Sequence, residues 1–266
     1  MLALKLVLVP AFLLLVSLAS RRWGPVVAGW LAGFPVVAGP IVLLVALEHG
    51  ELFASMASSA ALAAVFASVA FYLAYTHAAC GLRLQWPAAL FVALCVWTAA
   101  AFLLAQLPNS APLSLLVAAI TLVVGPRLFP AVALPSVPRP ITSSDLVVRM
   151  LAGALLTLLV TELAETVGSQ WSGLLAVVPL LGSVLAVFSH RSQGAAFTTT
   201  LLRAMTTGLY SLASFFVVLS FALPTLGIPV SFVLGVAVAV AAQGAIRGLT
   251  VRRTLQTGAE PPAPIR

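Results

Sequence analysis

The chain has 266 residues, 62% of them hydrophobic and 7% charged, with a mean hydropathy of +1.17 and a net charge of +7. A water-soluble domain carries about 25% charged residues, so this composition excludes a fold solvated by water on every side and leaves lipid as the solvent. The positive balance does not argue for nucleic acid, because arginines anchoring cytoplasmic loops account for it.

In chain order, the charge-free runs Leu6–Ser20, Val26–Leu47, Pro87–Leu107 and Ala204–Ala245 stand out. They are solidly apolar rather than alternating, which favours helices over a barrel. A crossing takes roughly 20 residues at 1.5 Å each. The pattern predicts helices over 3–20, 26–47, 53–78 and 87–107, then over 145–165, 172–189, 195–222 and 229–248. The opening segment, Lys5 followed by an apolar run and Leu18-Ala19-Ser20, has the form of a signal peptide. Arg21-Arg22 argues against cleavage, and the segment is read as the first helix. Residues 108–140 form a linker holding one short apolar run, Leu113–Val124. Cys80 and Cys95 lack metal or disulfide spacing and read as small packing residues.

The two sets of four helices repeat one another. With Pro35 set on Pro179, 144 positions later, Gly50 meets Gly194, Phe53 meets Phe197, Ala60 meets Ala204 and Phe71 meets Phe215. Farther on, with a small shift, Pro87 answers Pro229. The divisions are therefore 1–107 for the first copy, 108–140 for the linker, 141–250 for the second copy and 251–266 for the tail.

Charge sets the expected topology. If the linker crosses once, every arginine from Arg21-Arg22 through Arg83, Arg127 and Arg203 to Arg266 falls on one side, and Lys5, Glu48, Glu51, Glu162 and Glu165 on the other. If it does not cross, the asymmetry collapses. The positive-inside rule thus predicts an all-α polytopic protein of about nine spans (4+1+4), with the N-terminus outside and the C-terminus cytoplasmic. An odd offset inserts the second copy upside down. Inverted repeats of this kind suit alternating access in secondary transporters.

Each copy resembles the small GlpM-type bacterial membrane proteins. The resemblance rests on Arg21-Arg22-Trp23 and on Ala28-Gly29-Trp30-Leu31-Ala32-Gly33-Phe34-Pro35 in the first copy. In the second it rests on Gly173-Leu174-Leu175-Ala176-Val177-Val178-Pro179, Leu202-Arg203-Ala204 and Gly208-Leu209-Tyr210. It implies a four-helix unit of the bacterial inner membrane and no particular substrate. A fused inverted pair is also similar in architecture to the drug/metabolite transporter superfamily.

Candidate pathway residues come first from the second helix of each copy: Gly29, Gly33, Pro35, Gly39 and Pro40, then Gly173, Pro179 and Gly182. An interior proline frees a carbonyl, which at membrane depth must face protein or a watery cavity. Broken helices at matching positions point to a transport site, and the alternative is a kink with close packing of small residues. Ser59, Tyr72, Arg203 and Tyr210, on the third and eighth spans, add polar groups to the pathway. Arg203 suits an anionic substrate or a lipid headgroup, with snorkelling as the alternative. Glu162 and Glu165 share a helix face and, with Glu48 and His77, are candidates for proton coupling. The alternative there is hydrated charge at a membrane boundary. Asp145 reads as a helix start.

No HExxH, GxSxG or Walker pattern occurs, so an enzyme is not expected. Neither a metal nor a cofactor is expected. The expected function is an ion-coupled transporter or exporter of a small metabolite or lipid-like molecule. The alternative is a non-transporting scaffold or accessory subunit. The partners expected are the bilayer and an unidentified small molecule, and a homo-oligomer is compatible with either function.

Overall fold

The computed structural model describes residues 2–133, 143–166 and 179–256, and among them there are helices and no strands. Helix α1 (Leu2–Ala32) turns a corner at Gly24. After a break at 33–37 come α2 (Ala38–His49), α3 (Glu51–Ala63) and α4 (Val65–Thr76), which ends in a π turn over His77–Gly81. Next are α5 (Trp86–Ala105) and α6 (Ala111–Val124), the latter closed by a 3-10 turn, Gly125–Arg127. Then follow α7 (Ser143–Thr166), α8 (Leu180–Gln193) and α9 (Ala195–Gln256), which turns at Gly227.

Glycine and proline set these boundaries. Gly50 (φ 84°, ψ 171°) and Gly194 (φ 90°, ψ 174°) occupy a backbone region essentially closed to other residues. Each joins two helices without a loop. Gly50 N–H donates to Ala46 O and Gly194 N–H to His190 O, both at 3.0 Å. Pro35 has no N–H to give, so α1 stops short of it with tight turns, Gly33 N–H to Trp30 O and Phe34 N–H to Leu31 O. It restarts when Gly39 N–H donates to Pro35 O at 2.8 Å; Ser183 N–H donates to Pro179 O at 2.7 Å in the same register.

Among the described residues, four helical stretches are long and apolar enough to cross a membrane: Val7–Ala32, Glu51–Gly81, Trp86–Ala105 and Ala195–Ile246. Ala38–His49 and Ala111–Arg127 are apolar but shorter. The expected third helix is divided at Ala64, where the backbone loosens toward ψ −10°. The first and second expected helices are joined through Gly24 and Pro25. Helix α9 is the centre of the bundle, packed against α1, α3, α4, α6 and α8, while α5 packs on α4 and α7 on α1. Phe71 and Phe215 are fully buried, and Phe215 meets Phe216 and Phe232 edge-on at 5.7 and 5.9 Å. Outward faces carry Phe91, Leu103, Leu155, Val233 and Val240, a surface that acyl chains solvate and water does not. The apolar helices and this surface are consistent with a membrane protein.

Candidate functional site

The break at 33–37 lies beside a close contact of two backbones. Gly29 in the last turns of α1 and Gly33 just beyond its end, four apart, pack on Ala204, Met205 and Gly208 of α9. A Cβ on Gly33 would overlap the backbone of Gly208, and one on Gly208 would sit 2.8 Å from Gly29 O and 3.0 Å from Trp30 O. Small residues four apart permit such backbone contact between membrane helices. Carbonyls near the break are satisfied inside the protein: Trp30 O accepts from Gly33 N–H and, at 3.1 Å, from Gln243 Nε2 at the far end of α9. Gln243 is 9% exposed, and its Oε1 is buried without a hydrogen-bond donor. The crossing thus holds one unfilled acceptor against a broken helix.

Other expected residues gather in a second layer. Gly182 of α8 packs against the Tyr72 ring, and Gly39 of α2 lies 3.7 Å, by its would-be Cβ, from Phe215. Ser59 is buried and turned back onto Ser55 O at 3.1 Å. Tyr210 Oη donates to Leu122 O at 2.7 Å, tying α9 to α6. Pro179 is buried at the start of α8, while Pro35 and Pro40 are half-buried. Arg203, beside Ala204 in α9, and Glu48 are exposed. His77 is exposed in the π turn, 2.9 Å from Leu128 O. Gly173 and the side chains of Glu162 and Glu165 lie outside the described residues.

Three groups escape sequence reasoning. Gln243 is one, a single amide in an apolar run. Tyr75 is the second: fully buried, its hydroxyl lies 3.2 Å from His190 Nδ1 and 3.4 Å from Ala186 O. Arg149 is the third. It is 2% exposed, paired with Asp145 at 2.8 Å, within 3.5 Å of the Ser17 and Ser192 hydroxyls, and stacked on Phe188 at 5.7 Å. A buried guanidinium inside an apolar bundle persists only when paired and hydrogen-bonded, and α1, α7 and α8 together supply those partners. The signal was present in the i,i+4 spacing of Asp145 and Arg149, and in the register that sets Lys5 144 positions before Arg149. No three side chains among His, Cys, Asp and Glu come together as a metal site within the described residues. No family model, curated protein or solved structure matches the chain.

Proposed function

We propose that the chain is a multi-pass protein of a bacterial cytoplasmic membrane that works as an ion-coupled secondary transporter or exporter of a small metabolite or lipid-like molecule. In this reading it has nine spans, two GlpM-like four-helix halves inserted in opposite senses, and α6 as the crossing that inverts the second half. The N-terminus is outside and the C-terminus cytoplasmic.

The observation that carries the reading is the shared register of the breaks. Pro35 and Pro179 each accept the first hydrogen bond of the helix that follows, and Gly50 and Gly194 make the same corner after it. The packing of α1 on α7 supports it further, because Gly153 packs tightly on Leu13 and also touches Val9, its own counterpart 144 positions earlier. Residues facing their counterparts lie at a two-fold axis. Broken helices beside such an axis are where transporters hold substrate and ion, using freed carbonyls and buried polar groups. Gln243 Oε1, beside the break, is a buried polar group of that kind, with Tyr72 and Tyr210 in the surrounding layer, and Glu48, Glu162, Glu165 and His77 serve proton entry and exit.

The scaffold reading has its own support. The Gly29–Gly33–Gly208 crossing closes backbone on backbone, which packing alone would favour. Proteoliposomes enclosing a pH dye separate the two. Under the transport reading, one of a panel of sugars, amino acids, organic anions or polyamines drives proton movement, and Gln243→Leu and Glu162→Gln reduce it. No proton-coupled flux with any class favours the scaffold.

A further inference from the structure

Two helices that hold the same place in the two halves are packed differently. α2 and α8 each follow a proline break and each end at a glycine corner. α8 lies against α7, α5 and α1 as well as α9, and its residues Gly182–Ala186 and Ser189 are buried. α2 lies against α3 and touches α9, and its buried residues are Val42 and Ala46. Near its end Glu48 is exposed and makes no ion pair among the described residues. Arg149 is what grips the end of α8. Its Nη2 donates to Ser192 Oγ at 3.3 Å, its Nη1 to Ser17 Oγ at 3.5 Å, and its guanidinium stacks on Phe188 at 5.7 Å. Ser192 in turn donates to Phe188 O at 2.7 Å. Asp145 supplies the countercharge from Arg149's own helix. If α8 swung away, the ion pair would stay together and only the hydroxyl and ring contacts would be lost, so this joint can open without separating buried charges.

In the inverted arrangement proposed above, the two-fold axis at Val9 and Gly153 exchanges Arg149 with Lys5, Ser192 with Glu48 and Ser17 with Thr161. Where the second half sets a hydroxyl against its cation, the first half has a carboxylate to offer. We infer that the ends of α2 and α8 are alternating latches. In the conformation described here α8 is latched onto Arg149 at one end of the bundle, and α2 is unlatched at the other. In the second conformation α8 lets go and Glu48 closes the opposite end by pairing with Lys5. Related halves held in unlike conformations are how an inverted repeat exchanges access between two sides. The inference rests on that inverted reading and adds to it the device that controls access. In the proposed topology the Arg149 end is cytoplasmic, so the described conformation is closed inward and Lys5–Glu48 is the outer latch.

The test uses the full chain in nanodiscs, with Cys80 and Cys95 changed to serine and one pair of spin labels introduced at a time. Labels at the exposed positions Arg21 and Arg191 report the α8 end, and labels at the exposed positions Val7 and Leu47 report the α2 end. Arg149→Met combined with Asp145→Leu removes the α8 latch. It should lengthen the first distance and shorten the second, each by about 5 Å or more, the scale of a one-turn displacement. Ser192→Trp, a wedge at a half-buried position, should act the same way and keeps the test decisive if the first variant does not fold. Adding Glu48→Lys to either should abolish the shortening by setting two cations against each other, and Glu48→Lys together with Lys5→Glu should restore it. A second distance that does not shorten when the latch is removed, or a shortening that survives Glu48→Lys, overturns the inference. These readings need no substrate. Ends that exchange in a protein without flux count against transport alone, and flux with a fixed α2 end counts against the latches alone.

Discussion

Adding one methyl group at Gly208 tests whether the crossing is as tight as its geometry indicates. In Gly208→Ala the new Cβ lies 2.8 Å from Gly29 O, 3.0 Å from Trp30 O and 3.1 Å from Gly33 Cα. Carbon contacts are optimal at about 3.5 Å and beyond. All three neighbours are backbone atoms, so no side chain can rotate away and α1 must move from α9 by roughly half an ångström. Overpacking of this kind costs about 1–3 kcal/mol. Displacing Trp30 also strains the bond from Gln243, worth about 1 kcal/mol, so the expected loss is about 2–4 kcal/mol. The matched control is Gly39→Ala, where the nearest atom is the Phe215 ring edge at an ordinary 3.7 Å. There the substitution should be neutral or stabilise by up to about 1 kcal/mol through lower unfolded-state entropy. Reversible unfolding in mixed micelles reads both. A Gly208→Ala variant as stable as the parent, or a Gly39→Ala variant equally damaged, would refute the packing argument.

Removing the Arg149 guanidinium with Arg149→Met deletes the ion pair with Asp145 and the contacts to Ser17 and Ser192 and should cost about 3–5 kcal/mol, while the double change Arg149→Met with Asp145→Leu should recover part of it; a double variant no better than the single would contradict the ion-pair account. Gln243→Leu exchanges one bond to Trp30 O for relief of a buried, unfilled acceptor, so micelle stability should change by less than about 1 kcal/mol while any coupled flux falls; unaltered flux removes Gln243 from the pathway. Tyr75→Phe should cost about 1 kcal/mol by deleting the hydroxyl beside His190, read by the same unfolding assay, and a cost of nearly zero would mean that contact contributes little. Reporters fused to the two chain ends should appear in different compartments; finding both on one side would remove the inverted arrangement.

The parts of the structure that could be read from sequence are those governed by local chemistry. Apolar composition gives helices, and Pro35, Pro179, Gly50 and Gly194 mark helix ends because a missing N–H or a positive φ acts where the residue stands. At the Gly50 corner His49 stacks on Phe53 at 5.0 Å. What stayed hidden depends on several helices at once. Arg149 looked like one more boundary arginine because Ser17 and Ser192, which take it inward, are 132 and 43 positions away. Gly208 is legible as part of the Gly208-Leu209-Tyr210 stretch but not as the packing partner of Gly29 and Gly33, because its counterpart, Ala64, is not a glycine. Six of the fourteen residues around the cavity between α3, α4, α5 and α6 are alanines, a residue type too frequent in this chain to carry a pattern.

The corners at Gly50 and Gly194 leave no slack between the helices they join. With a single residue as the connector, α2 cannot slide along α3, nor α8 along α9, without breaking the hydrogen bonds that close each corner. Each pair must therefore travel as a stiff lever, free to swing but not to telescope. Any large rearrangement of this bundle has to be absorbed at longer joints, such as the break at 33–37 or the turn around Arg83, where φ is +53°.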